Sequence, residues 1–147
     1  MSNEVQDRLD IVDLALKWSE AASRMDARGL GKIFTDNGVM AGVTKLAAGW
    51  GDGDLMGPQA IEDFFSKIFG LLLFVHHTSQ VVGLDIQGTT ASATTMIIEY
   101  ARLATGNLLL VVGDYRDEMV RTPQGWRFTR RELVPKAWTF LAETAAG

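Results

Sequence analysis

From His76 to Val134 the chain alternates strand-like runs with separators too short for anything but tight turns. The runs are His76 to Ile86, Ala91 to Leu103, Leu108 to Val120 and Trp126 to Val134. Between them lie Gln87-Gly88, Thr105-Gly106-Asn107 and Pro123-Gln124-Gly125. Antiparallel neighbours can be joined by a few residues, whereas a parallel crossover takes a dozen or more. The second half is therefore expected to be antiparallel sheet.

The first half has a different period. Val5, Leu9, Val12, Ala15 and Leu16 recur at helical spacing, with Asp7, Arg8, Lys17 and Glu20 on the other face. Gly29 and Gly31 interrupt, and a short second helix is expected near Leu30 to Phe34. Thr35-Asp36-Asn37-Gly38 signals a turn into a strand from Val39 to Val43. Residues 49–54 are glycine-rich but lack the spacing and following helix of a phosphate-binding loop, so they read as a hairpin connection. Pro58 then opens a helix with Ile61, Phe64, Phe65 and Ile68 as its buried stripe. Helices followed by a run of strands predict an α+β domain with the helices on one face of a curved sheet.

The 147 residues suffice for one domain, 1–147, that buries roughly two-thirds of its unfolded surface. With no basic run to offset a net charge of −4, neither a nucleic-acid nor an anionic-membrane surface is expected. Cysteine is absent, which excludes thiolate metal sites and disulfides and allows a reducing compartment. Residues 1–10 are polar and acidic, unlike a secretory signal, and no apolar run is long enough to cross a bilayer. A cytoplasmic protein is expected.

Polar residues at inward parity are the candidates for chemistry. His76 and His77 are the chain's two histidines. Val82, Leu84 and Ile86 share the parity of His76, which predicts that His76 faces the core and His77 the opposite side. Alternation after Gly88 puts Ala91, Ala93, Ile97 and Ala101 inside, and Glu99 with them. A buried carboxylate is costly unless it is paired, protonated or facing a wet cavity. The same logic turns Tyr115 and Met119 inward. Asp26, just before Gly29, reads either as the N-cap of a short helix or as a carboxylate presented to a cavity.

Taken in order, these pieces resemble the SnoaL-like, scytalone dehydratase-like branch of the nuclear transport factor 2-like superfamily. The resemblance rests on the opening helix, Met25-Asp26-Ala27-Arg28, Ile33-Phe34-Thr35-Asp36-Asn37-Gly38 and Gly57-Pro58-Gln59-Ala60-Ile61. It continues through His76-His77, Gly113-Asp114-Tyr115-Arg116-Asp117 and Gly125 to Arg131. It implies a cone-shaped α+β barrel, a strongly curved, mainly antiparallel sheet wrapped around N-terminal helices and enclosing one deep pocket. It also implies a cofactor-free site with a proton-transferring Asp and His, at Asp26 and His76, and a pocket arginine at Arg131. Strand parity through Trp126 and Phe128 favours Arg130 instead, and a bulge would reconcile the two. The chain departs from dehydrochlorinases at Ala21, where they carry lysine, and from scytalone dehydratases at Met25, where they carry tyrosine.

The expectation is thus a cofactor-independent, metal-free lyase, a dehydratase or a related elimination, including carbon–carbon cleavage, acting on a small apolar, hydroxylated aromatic or polycyclic compound. Asp26 would orient His76 as base and acid. Glu99, Tyr115, Arg131, Trp18, Phe34, Phe65, Ile97 and Trp138 would bind the substrate, with Phe64 and Met119 also at the walls and Phe140 closing the mouth beside Trp138. An isomerase or epoxide hydrolase is the alternative within enzymes. A non-catalytic binding protein, or a subunit like the small subunits of ring-hydroxylating dioxygenases, is the alternative outside them. Leu108 to Val112 is apolar at every position, which predicts a homodimer or homotrimer.

Overall fold

The computed structural model describes residues 3–46 and 53–141. The glycine-rich stretch falls largely outside them, and with it the hairpin expected there. Among the described residues, three α-helices pack on a six-stranded mixed sheet. Helix α1 (Glu4–Ser23) begins at Asn3, whose side chain accepts from the amides of Val5 and Gln6. Met25, at φ 54°, turns the chain into α2 (Ala27–Lys32). β1 (Phe34–Ala41), a short 3-10 turn (Val43–Leu46) and β2 (Leu55–Met56) precede α3 (Pro58–Phe69). The long strands are β3 (Leu72–Gln87), β4 (Thr90–Leu103), β5 (Leu108–Thr122) and β6 (Gly125–Leu141).

The sheet order is β2-β1-β6-β5-β4-β3. β3 to β6 pair antiparallel in sequence order, as their short separators require, and β1 joins β6 in parallel. The sheet bends around α1 without closing, since β2 and β3 remain its edges. Extra residues bend it: the register slips between Val81 and Gly83 in β3, between Glu118 and Met119 opposite β6, and between Val112 and Gly113. A bulge of this kind kinks its strand and shifts the parity of everything beyond it. At the last slip a side chain on Gly113 would place its Cβ 2.6 Å from the carbonyl oxygen of Val134, so only glycine fits. Gly31 does the same for the contact between α2 and Pro58, where the equivalent distance is also 2.6 Å.

One expectation about α1 is corrected. Its buried face carries Asp7, Ile11, Leu14, Ala15 and Trp18, while Val5, Leu9, Val12 and Leu16 stay 38–68% exposed. The helix has two apolar stripes, and the sheet takes the one that includes Asp7. That carboxylate is buried because the Trp126 indole donates to it at 3.1 Å and Arg121 pairs with it. Two partners satisfy a charge that would otherwise be expelled.

Candidate active site

The concave side of the sheet and the helices enclose an apolar cavity of about 230 Å3. Trp18 of α1, Phe65 and Phe69 of α3, and Leu109 of β5 supply much of its wall. Trp138 and Phe140, both on the inward side of the end of β6, stand half-exposed at the cavity. Glu99 and Tyr115 are its polar, titratable wall residues. They reach it by alternation, because the odd positions of both β4 and β5 face inward.

His77 supports Tyr115 from behind. The histidine is 4% exposed and its Nε2 lies 3.2 Å from the Tyr115 hydroxyl. The two rings are stacked, with centroids 5.9 Å apart. On the other side, His77 Nδ1 lies 2.9 Å from Ser19 Oγ, which is 2.7 Å from Ser79 Oγ. Ser19 and Ser23 are four residues apart and so share one face of α1. Ser23 fixes the strand: the His77 amide donates to its hydroxyl at 2.9 Å, and that hydroxyl lies 3.3 Å from the His77 carbonyl, to which it donates.

Tyr115 also rests on Arg131, whose guanidinium lies 4.0 Å from the tyrosine ring centroid and 4.3 Å from that of Phe128. Arg131 is fully buried and forms a two-pronged ion pair with Asp117, Nε to Oδ1 at 2.8 Å and Nη2 to Oδ2 at 3.1 Å. Thr95 donates to the same carboxylate at 2.7 Å. The remaining nitrogen, Nη1, has no hydrogen-bond partner among the described residues; the aromatic faces around the guanidinium supply cation–π attraction instead.

These environments set the protonation states. Burial, with the Arg131 charge in support, lowers the His77 pKa to about 3, so the imidazole is neutral at physiological pH. Burial raises Glu99 to about 7, so acid and base forms are both populated near neutrality. Burial also pushes the Tyr115 phenol well above its ordinary range, partly offset by Arg131. Glu99 and Tyr115 therefore present an exchangeable carboxyl and a neutral hydroxyl to one apolar cavity.

The remaining expected site residues divide sharply. His76 is exposed on the outer face of the sheet, opposite Tyr100 of β4. The inward parity predicted for His76 rests on Val82, Leu84 and Ile86, which lie at or beyond the slip in β3 that exchanges the faces. Asp26 is exposed and caps α2, accepting from the Gly29 amide at 3.0 Å, so no Asp26–His76 pair forms. Phe34, Ile97 and Met119 are core residues rather than cavity wall. Phe34 packs edge-on against Trp18, at 6.0 Å. Trp18, Phe64, Phe65, Glu99, Tyr115, Trp138 and Phe140 do line the cavity. Of the two arginines, Arg131 is the inward one, while Arg130 reaches Asp54 at 3.6 Å. The slip opposite Glu118 brings Arg131 in. It stands beneath Tyr115 rather than at the wall. His77, Ser19, Ser79 and Asp117 are additional to the expected set.

Solved structures share this architecture. The hexachlorocyclohexane dehydrochlorinase LinA-type3 of Novosphingobium barchaimii superposes with a TM-score of 0.81 at 17% identity, covering 96% of this chain and 94% of that one. A candidate scytalone dehydratase of Novosphingobium aromaticivorans also gives 0.81, at 18% identity, over 97% and 93% of the two chains. At such identities the likeness is one of fold. In sequence, an uncharacterised protein of Mycobacterium tuberculosis, Rv2910c, is 28% identical over 138 residues, covering 87% of this chain and 84% of the relative. The model of the SnoaL-like domain matches residues 3–132, nearly the whole of the described fold, and the chain belongs to that family.

Proposed function

We propose that this protein is a cofactor-independent lyase that eliminates water, or a comparable leaving group, from a small hydroxylated aromatic compound. The observation that carries the reading is the pairing of Glu99, poised between acid and base, with the neutral hydroxyl of Tyr115 in one apolar cavity. Elimination needs such a pair. The Glu99 carboxylate takes a proton from carbon, the C–H electrons form the new double bond, the carbon–oxygen bond breaks, and Tyr115 protonates the departing oxygen. A water-poor setting strengthens both interactions. The family resemblance to dehydratases and dehydrochlorinases supports a lyase, with the work moved from the expected Asp26 and His76 to Glu99 and Tyr115.

The cavity volume suits one or two rings, and its walls suit apolar surface with few orienting groups. A screen of hydroxylated aromatic alcohols and ketones, read by loss of the mass of water, tests the reaction. On a substrate so identified, Glu99→Gln and Tyr115→Phe are each expected to lower turnover by about 10²-fold or more, the usual scale of positioned acid–base catalysis. Turnover unchanged in both variants would refute the assignment. In thermal-shift experiments naphthols and hydroxylated ketones are expected to raise the melting temperature, while nucleotides and sugar phosphates leave it unmoved. The reverse pattern would contradict an apolar site.

The outer face of the sheet supports self-association. Met96, Ile98 and Tyr100 are 40–47% exposed there, and Leu110 and Val112 continue the patch on the next strand. A homodimer or homotrimer mass is expected by light scattering at micromolar concentration, reduced by Ile98→Glu. A monomer mass for the unaltered protein would overturn this.

A further inference from the structure

Tyr115 has to be reprotonated after each turnover, yet it is buried beneath the substrate. We propose that Ser79, Ser19 and His77 form a proton wire running from the groove between α1 and β3 to the Tyr115 hydroxyl, through the back wall of the cavity. This rests on the acid–base reading above and deepens it.

The links are continuous. Ser79, half-buried, lines the groove together with Val12, Leu16 and Gln80. Its hydroxyl is 2.7 Å from Ser19, Ser19 is 2.9 Å from His77 Nδ1, and His77 Nε2 is 3.2 Å from Tyr115. Every member both donates and accepts, because serine and tyrosine hydroxyls do so and a neutral imidazole has one nitrogen of each kind.

The chain therefore has two polarities. In one, His77 carries its proton on Nε2 and donates to Tyr115, which leaves the tyrosine O–H free to act as an acid toward the cavity. In the other, the proton sits on Nδ1, Tyr115 donates to Nε2, and the tyrosine oxygen faces the cavity as an acceptor. When Tyr115 gives its proton to a leaving oxygen, Nε2 replaces it, Ser19 protonates Nδ1, Ser79 protonates Ser19, and solvent protonates Ser79. No imidazolium accumulates at any point. Once the product has left, water entering the cavity carries the Glu99 proton to Tyr115, which drives the same shifts outward and resets the tautomer. The substrate's carbon-bound proton thus leaves by the path along which the leaving group's proton arrived. Ser19 and Ser79 are positioning residues for this transfer and do not touch the substrate.

Exchange of the His77 ring proton in deuterated buffer tests the wire with no substrate present. Nitrogen-15 NMR follows it, and the chain's other histidine, His76, is distinguished by its exposure. The indole proton of Trp126, bonded to Asp7 far from the wire, serves as an internal clock for opening of the fold. The His77 ring proton is expected to exchange at least tenfold faster than the Trp126 indole. Ser19→Ala and Ser79→Ala should each slow it at least tenfold relative to that clock. If Ser19→Ala speeds the clock by loosening the fold, Ser79→Ala, at a half-exposed position, decides alone. Exchange as slow as the clock in the unaltered protein, or unchanged in Ser79→Ala, would overturn the wire. Retained turnover in Glu99→Gln with serine-dependent exchange would instead overturn the acid–base reading and leave the wire standing.

Discussion

Asp117→Ala is expected to destabilise the domain by about 3–5 kcal/mol, because it strands a fully buried guanidinium without its carboxylate. Against a typical total of about 5–15 kcal/mol, that is a large share of the stability. For a domain of this size it corresponds to a fall in melting temperature of roughly 10–20 °C. Removing both charges together is a different matter. An Asp117→Ala, Arg131→Met double variant exposes no unpaired charge and keeps much of the volume beneath Tyr115, so it should be more stable than Asp117→Ala alone. Urea unfolding of the single and double variants measures both quantities. A single variant within about 1 kcal/mol of the unaltered protein, or a double variant less stable than the single, would contradict the role given to this pair.

The ion pair also shows what the sequence carries and where it stops. Asp117 shares the parity of Tyr115 and Met119, so its burial was legible from the alternation that placed Tyr115 correctly. Glu99 was legible for the same reason, since β4 and β5 run without a slip from Thr90 to Arg102. His77 was not, because two positions of β3 that face the same way in the sequence pattern face opposite ways across the slip at Val81–Gly83. A bulge leaves no unambiguous mark in hydrophobicity when Val81 and Val82 are both apolar. The choice between Arg130 and Arg131 turned on another such slip, and there the conflict between parity and family pattern did signal it.

The helix presented a different difficulty. Both stripes of α1 are apolar enough to be buried, and the helical spacing that picks out Val5, Leu9, Val12, Ala15 and Leu16 leaves out Ile11 and Leu14. What decides is long-range: Trp126 and Arg121 draw Asp7 inward, 114 or more residues away in sequence. Ser19 and Ser23 follow from that rotation, and their contacts with β3 then fix His77 against α1. The general architecture, with helices first and antiparallel strands after, followed from separator lengths that no packing detail can override. The site lay one level deeper, in register.

Glu99 and His77 should leave opposing marks on the pH dependence of stability that cancel in the intact protein. The Glu99 pKa rises from 4.5 to about 7 on folding, so between those values the native state holds a proton the unfolded chain has released. Its contribution is fully present below pH 4.5 and is lost as pH rises toward 7. The His77 pKa falls from 6.5 to about 3, so over that range the unfolded chain holds the extra proton. Its contribution is fully present above pH 6.5 and is lost as pH falls toward 3. Between pH 4.5 and 6.5 one slope is negative and the other positive, each about 1.4 kcal/mol per pH unit. Over those two units the pair sums to nearly zero. Glu99→Gln removes the falling slope, so relative to the unaltered protein its stability should gain roughly 2 kcal/mol from pH 4.5 to 6.5, the slope being below its limit near either end of the window. His77→Gln removes the rising slope, and the difference should run the other way by a similar amount. Subtracting the unaltered curve cancels the background from the other carboxylates, which makes the difference the informative quantity. Denaturant unfolding at pH 4.5, 5.5 and 6.5 measures it. Curves for both variants that stay parallel to that of the unaltered protein would show that neither group titrates out of register with the unfolded chain. Glu99 would then be an ordinary carboxylate, ionised throughout the neutral range, and the cavity would lose a base whose strength is matched to neutral pH.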